Sequence, residues 1–177
     1  MATPAAAFAQ IATDCEAEGL TPKNGEKIGQ EIAKAFNVQA DEVGIMRVEK
    51  QNLVFVYPAK LHNVGSIPLN TTGSVAARCA QTKRAEVLNN FAQAKHTSIF
   101  ESVDLKGKQQ HAVGEKTEHP VIQKLVSVPV VGPAGVLGVI EVCRKGMSAP
   151  ASGPDFTPAD MQKLVMIAGS LLKCFAK

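Results

Sequence analysis

The sequence predicts an α+β domain built around a central antiparallel sheet, and three observations predict it. Thr-Pro pairs at Thr3-Pro4, Thr21-Pro22 and Thr157-Pro158 each set a capping hydroxyl before a proline at the first helical position, where its missing N–H costs nothing. Between the second and third pairs the apolar period switches from helical to strand-like. The order is helices, strands, a short helix with a long connection, strands, and a closing helix.

After Thr3 the positions Phe8, Ile11, Ala12 and Cys15 form a helical stripe, and after Thr21 Ile28, Ile32, Ala35 and Phe36 do the same. The first helix is read as an extension over residues 1–20, ahead of a main domain over 21–177. Runs 43–48 and 53–57 are rich in β-branched and aromatic side chains and are joined by Lys50, Gln51 and Asn52, a hairpin. Residues 65–69 form a short strand whose Pro68 puts it at a sheet edge or strand end. A short helix over 72–81 follows, with Lys83 and Arg84 at the negative end of its dipole. Glu86, Val87 and Leu88 make another short strand. Residues 91–120 are polar and irregular apart from a helical turn near 98–103, and a connection that long usually serves function. Runs 121–131 and 135–144 form a second hairpin. Met161, Leu164, Val165, Ala168, Leu171, Leu172 and Phe175 stripe the last helix. Its start is marked by a Phe156–Met161 staple and by Asp160 among the free N–H groups.

The second hairpin raises the functional question. Val136 to Val142 barely alternates, so both faces of that strand are covered. The terminal helices account for one face. The other is left to residues 61–120, too polar for a solid layer, and a half-apolar cover over a sheet is where a small-molecule cavity belongs.

Composition narrows the classes. The 177 residues are 45% apolar and 20% charged, with a formal net charge of +3, ordinary for one domain with a sizeable core. So small and scattered a charge argues against nucleic acid or a membrane surface as partner. No run reaches the roughly 18–20 apolar residues of a membrane span, and the first residues lack the basic start of a signal peptide. Cys15, Cys79, Cys143 and Cys174 lie far apart and outside metal-ligand spacings. They read as free buried thiols in a reducing cytoplasm.

Three stretches, "GSIPLNTTGSVAARCAQTKRAEVLNN", "LVSVPVVGPAGVLGVIEVCRKG" and "FTPADMQKLVMIAGSLLKCF", resemble in this order the GAF family of small-molecule-binding regulatory domains. The similarity spans roughly residues 20–177. It implies a GAF/PAS-like sheet with N- and C-terminal helices on one face and a short helix plus long loops on the other, enclosing a ligand. Such domains bind cyclic nucleotides, amino acids, oxoacids, haem or bilins, or act as dimerisation modules. The cyclic-nucleotide signature of asparagine-lysine, phenylalanine and aspartate-glutamate is half kept: Lys145, Phe156 and Asp160 match, Arg144 and Met161 do not. A structural Lys145–Asp160 ion pair is what the match implies. A bilin anchor would be a cysteine followed by histidine, which the chain lacks. Free methionine sulfoxide reductases share this fold and use cysteines of the covering loops. Only Cys79 lies there, so an enzymatic role is not expected.

The glycines from Gly132 to Gly138 lead into a strand rather than a helix, so they form a hairpin turn and not a phosphate loop. His96, His111 and His119, with Glu101, Asp104 and Glu118, are too loosely spaced for a metal site. Cys79 reads as a structural thiol. Arg47, inside an apolar strand, and Arg78, on the short helix, could each clamp a carboxylate or phosphate. With Tyr57, Ser66, Ser74, His96, Phe100 and Ser127 they are the candidate ligand-binding residues. The expectation is a cytoplasmic sensory domain holding a small, anionic metabolite between the sheet and residues 61–120. It would signal through a homodimer of terminal helices or a separate partner, with no particular cofactor implied. The alternative is an interaction module with a collapsed pocket.

Overall fold

The expected order of elements is the observed one. The computed structural model describes residues 4–93 and 120–177. The chain runs α1 (Pro4–Glu16), α2 (Pro22–Phe36), β1 (Val43–Glu49), β2 (Asn52–Tyr57), β3 (Ser66–Pro68), α3 (Val75–Thr82), β4 (Glu86–Leu88), β5 (Val121–Gly132), β6 (Gly135–Gly146), α4 (Pro158–Ser170) and α5 (Leu172–Phe175). Thr21 Oγ1 accepts the N–H of Asn24 at 3.2 Å. At the start of α4 the box is reciprocal: Thr157 Oγ1 accepts from Asp160 N at 3.1 Å, and Asp160 Oδ2 accepts from Thr157 N at 2.8 Å.

The strands make one six-stranded sheet in the order β3-β2-β1-β6-β5-β4, each neighbouring pair antiparallel. Both faces are covered, which explains the missing alternation. On one face α1, α2, α4 and α5 bury Phe8, Ile28, Ile32, Phe36, Leu164, Ile167 and Phe175 against Ile45, Val126, Val128, Ile140 and Val142. On the other, α3 and the turns at Leu61 and Phe91 pack Val75, Ala76, Cys79 and Ala80 over Met46, Leu53, Phe55, Leu125 and Val139. Val165, placed by periodicity in the buried stripe, is 38% exposed, and Ile167 is buried instead. The helix stops at Leu171 before α5 begins, which redirects the last turns. The helical turn expected near 98–103 lies outside the described residues.

The β1–β2 connection joins Glu49 to Asn52 through Lys50 and Gln51, both at positive φ (46° and 69°). Two left-handed residues in a two-residue loop define a turn that favours Asn-Gly. The double change Lys50→Asn, Gln51→Gly should therefore stabilise the fold by about 1 kcal/mol, a rise in Tm of roughly 2–4 °C. An unchanged or lowered Tm would show that the loop does not carry this strain.

Candidate functional site

The face of the sheet under α3 holds an ionisable group that hydrophobic packing does not require. Ser127 on β5 pairs across the ladder with Glu141 on β6; Glu86 of β4 flanks Ser127, and Gly44 of β1 flanks Glu141. One row of the lid face therefore reads Glu86, Ser127, Glu141, Gly44. Glu141 is 1% exposed. Ser127 Oγ donates to its Oε1 at 3.1 Å, and this is its hydrogen bond among the described residues. A carboxylate offers roughly four acceptor sites, and the Ser127 hydroxyl fills one of them among the described residues. Gly44 contributes no side chain, which leaves bare backbone on the far side of the carboxylate.

Burial holds the Glu141 carboxyl up at about 7, with the nearby Glu86 charge pushing the same way and the Ser127 hydroxyl opposing. Beside it, burial raises the Cys79 thiol to about 12, and that of Cys143 well above its ordinary range. Both thiols stay protonated at neutral pH and are poor nucleophiles in this state. Among the described residues no grouping of His, Cys, Asp and Glu could hold a metal ion.

The structure distributes the sequence-predicted residues between two faces. Ser127 lies at the centre of the row just described. Ser74 caps α3, accepting from Ala77 N at 3.2 Å. Arg78 grips Glu86 with both ends of its fork, at 2.8 and 2.6 Å, so its guanidinium is engaged at the sheet margin. Ser66 sits exposed on the edge strand β3. Arg47 and Tyr57 lie on the helix-covered face. Arg47 follows Ile45 in the strand parity and binds Glu49 at 2.7 Å and the Leu20 carbonyl at 3.4 Å. Tyr57 is turned by a bulge: pairing shifts between Ile45–Tyr57 and Met46–Phe55, so the ring moves to the face opposite Phe55. There it lies on α2 so closely that a Cβ on Gly29 would meet it at 2.4 Å, and its hydroxyl donates to the Ala40 carbonyl at 2.9 Å. His96 and Phe100 lie outside the described residues, as do His111, His119, Glu101, Asp104 and Glu118.

Lys145 and Asp160, which the resemblance pairs, each have another partner here. Lys145 Nζ lies 3.6 Å from Asp41 Oδ2, while Asp160 is spent on capping its own helix. Arg144 stacks its guanidinium 4.8 Å above Phe156. The Lys145 contact ties the end of β6 to the turn before β1, and the Arg144 stack ties it to the segment leading into α4. Glu141 itself went unnoticed in the sequence, although a lone carboxylate inside Val136–Val142 was the available signal.

No family model and no curated protein matches the chain, but solved structures do. A GAF domain from an Acinetobacter phosphoenolpyruvate-protein phosphotransferase matches with a TM-score of 0.64 at 15% identity, covering 99% of this chain and 95% of that one. The chain has the GAF fold. The GAF-B domain of DevS from Mycobacterium smegmatis matches at 0.55 and 13% identity, over 88% of this chain and 93% of its own. The free methionine-R-sulfoxide reductase from Neisseria meningitidis, solved with its substrate, matches at 0.63 and 16% identity, over 99% and 92%. That last likeness overturns the expectation that the chain is not an enzyme. A GAF fold of this shape carries reductase chemistry in the Neisseria protein, so the fold gives no ground for excluding catalysis. Among the described residues no helix is long and apolar enough to cross a membrane.

Proposed function

We propose that this GAF-fold domain is a regulatory sensor whose ligand lies between the sheet and residues 61–120 and presents a protonated amine, or an equivalent donor, to Glu141. The observation that carries this reading is the buried carboxylate with Ser127 as its hydrogen-bond partner and glycine beside it. A buried charge is costly unless paired, and a cation above Gly44 would supply the pair. The anionic ligand expected from Arg47 and Arg78 loses its support, since both guanidinium groups are engaged elsewhere. Free amino acids fit the chemistry best, and the Neisseria reductase of the same fold was solved in complex with its substrate. Binding would shift the lid and the terminal helices between two arrangements.

The test is a thermal-shift screen at pH 8, where Glu141 is ionised. Amino acids and polyamines should raise Tm, and the matching oxoacids, cyclic nucleotides and haem should not. Loss of the shift in Glu141→Gln would tie it to this carboxylate. No stabilisation by any amine would remove the proposal.

A second reading, self-association through the terminal helices, is favoured by one observation. An apolar groove of about 370 Å³ runs between α4 and the end of β5, lined by Val130, Val131, Val165, Ala168 and Leu172, with Met166 68% exposed nearby. Light scattering should then report a dimer that Val165→Glu disperses. A monomer across a wide concentration range would discard this reading.

A further inference from the structure

Two thiols, distant in sequence, meet where the terminal helices touch. Cys15 lies in the last turn of α1 and Cys174 in α5, and both are fully buried. Cys174 Sγ lies 3.8 Å from the Ala12 carbonyl, one turn before Cys15. Lys173 Nζ pairs with Glu16 Oε1 at 3.1 Å, and Lys177 Nζ donates to the Ala17 carbonyl at 3.2 Å. A Cβ on Gly19 would stand only 2.9 Å from Lys177 Cβ. Residues on both sides of Cys15 thus touch Cys174 and its neighbours on both sides. The two thiols are near enough that each alters the other's hold on its proton.

We propose that Cys15 and Cys174 form a redox-controlled staple, in which a peroxide oxidant joins them in an intramolecular disulfide that ties α1 to the C-terminal helix. This rests on no assumption about the lid-face ligand. In the closed state burial keeps both thiols protonated, Cys174 up at about 11, and so unreactive. Reaction requires α1 to open. That helix is the easiest to release, since Phe8 and Cys15 are its fully buried side chains among the described residues. An exposed Cys15 thiolate attacks the O–O bond of hydrogen peroxide, which breaks, and sulfenic acid forms as hydroxide leaves and takes up a proton to become water. On re-docking, Cys174 sulfur attacks the Cys15 sulfur, the S–O bond breaks, and the thiol proton leaves with the hydroxyl as a second water. The two electrons lost by the thiols reduce one peroxide.

Hydrogen peroxide treatment of the full chain tests this. Two of the four free thiols should become resistant to alkylation, and peptide mapping without reductant should find the Cys15 and Cys174 peptides linked. Because the bond closes most of the chain into a loop, Tm should rise by about 10 °C and return on reduction. Cys15→Ser and Cys174→Ser should each abolish the link, while the Cys79→Ser, Cys143→Ser double variant keeps it. The wild-type map decides the matter even if a variant folds poorly. A link through Cys79 or Cys143, a link between chains, or four thiols still alkylatable after treatment would overturn the staple.

Discussion

Replacing Glu141 by Gln should raise Tm at pH 8 by roughly 5–10 °C and leave it nearly unchanged at pH 4.5. The sign follows from the proton balance. The folded carboxyl titrates near 7 against an ordinary 4.5, so between those values the folded chain holds a proton that the unfolded chain has released. Stability of the wild type is therefore whole below about 4.5, falls as pH rises through that window, and reaches its full loss of about 3 kcal/mol above 7. The Gln side chain carries no charge to bury and removes that slope. A wild-type Tm flat from pH 4.5 to 7 would refute the burial of an ionisable group here. An amine ligand acts in the opposite sense to the penalty. By pairing with the ionised form it lowers the carboxyl again, so binding near pH 6 should release a proton, measurable as a buffer-dependent enthalpy.

Gly138→Ala should destabilise the fold by about 3 kcal/mol or more, with Tm lower by roughly 6–12 °C. Its Cβ would stand 2.3 Å from the Met46 carbonyl oxygen and 2.5 Å from Phe175 Cε1. The ring of Phe175 can rotate away at the expense of packing. The carbonyl cannot, because Met46 belongs to the β1 ladder that pairs with β6. The same contact explains how α5 docks so close to the centre of the sheet. A Tm within about a degree of wild type would mean that the β1–β6 pairing is more yielding than a central ladder should be.

Much of this architecture is written in local patterns. Thr21 and Thr157 announce helix starts through residues three positions apart, and the unbroken apolar run of β6 announces cover on both faces. What escaped was non-local. Tyr57 follows Leu53 and Phe55 in simple alternation, and only the bulge, a property of the β1–β2 pairing, sends it to the other face. Lys145 had two acidic residues within reach of its strand end, and periodicity cannot tell that Asp160 is consumed by its own helix cap. Arg78 finds Glu86 eight residues on, across the turn from α3 to β4, where neither the helical nor the strand period applies. Glu141 was visible as a letter but not as a burial. Knowing that it lies under α3, rather than among solvent, requires the sheet order. Cys15 and Cys174 stand near opposite ends of the chain, and only the docking of α1 on α5 makes them neighbours.

β3 and β4 each contain three residues, β3 closes on Pro68, and beyond β3 the exposed rim of β2 is capped where His62 Nδ1 meets the Phe55 carbonyl at 2.8 Å. Neither of these two strands is itself long enough to offer the row of free amides on which a second molecule could template itself. Fibrillar growth by strand addition at β3 and β4 is thereby discouraged, leaving these ends of the β-layer private to their own chain.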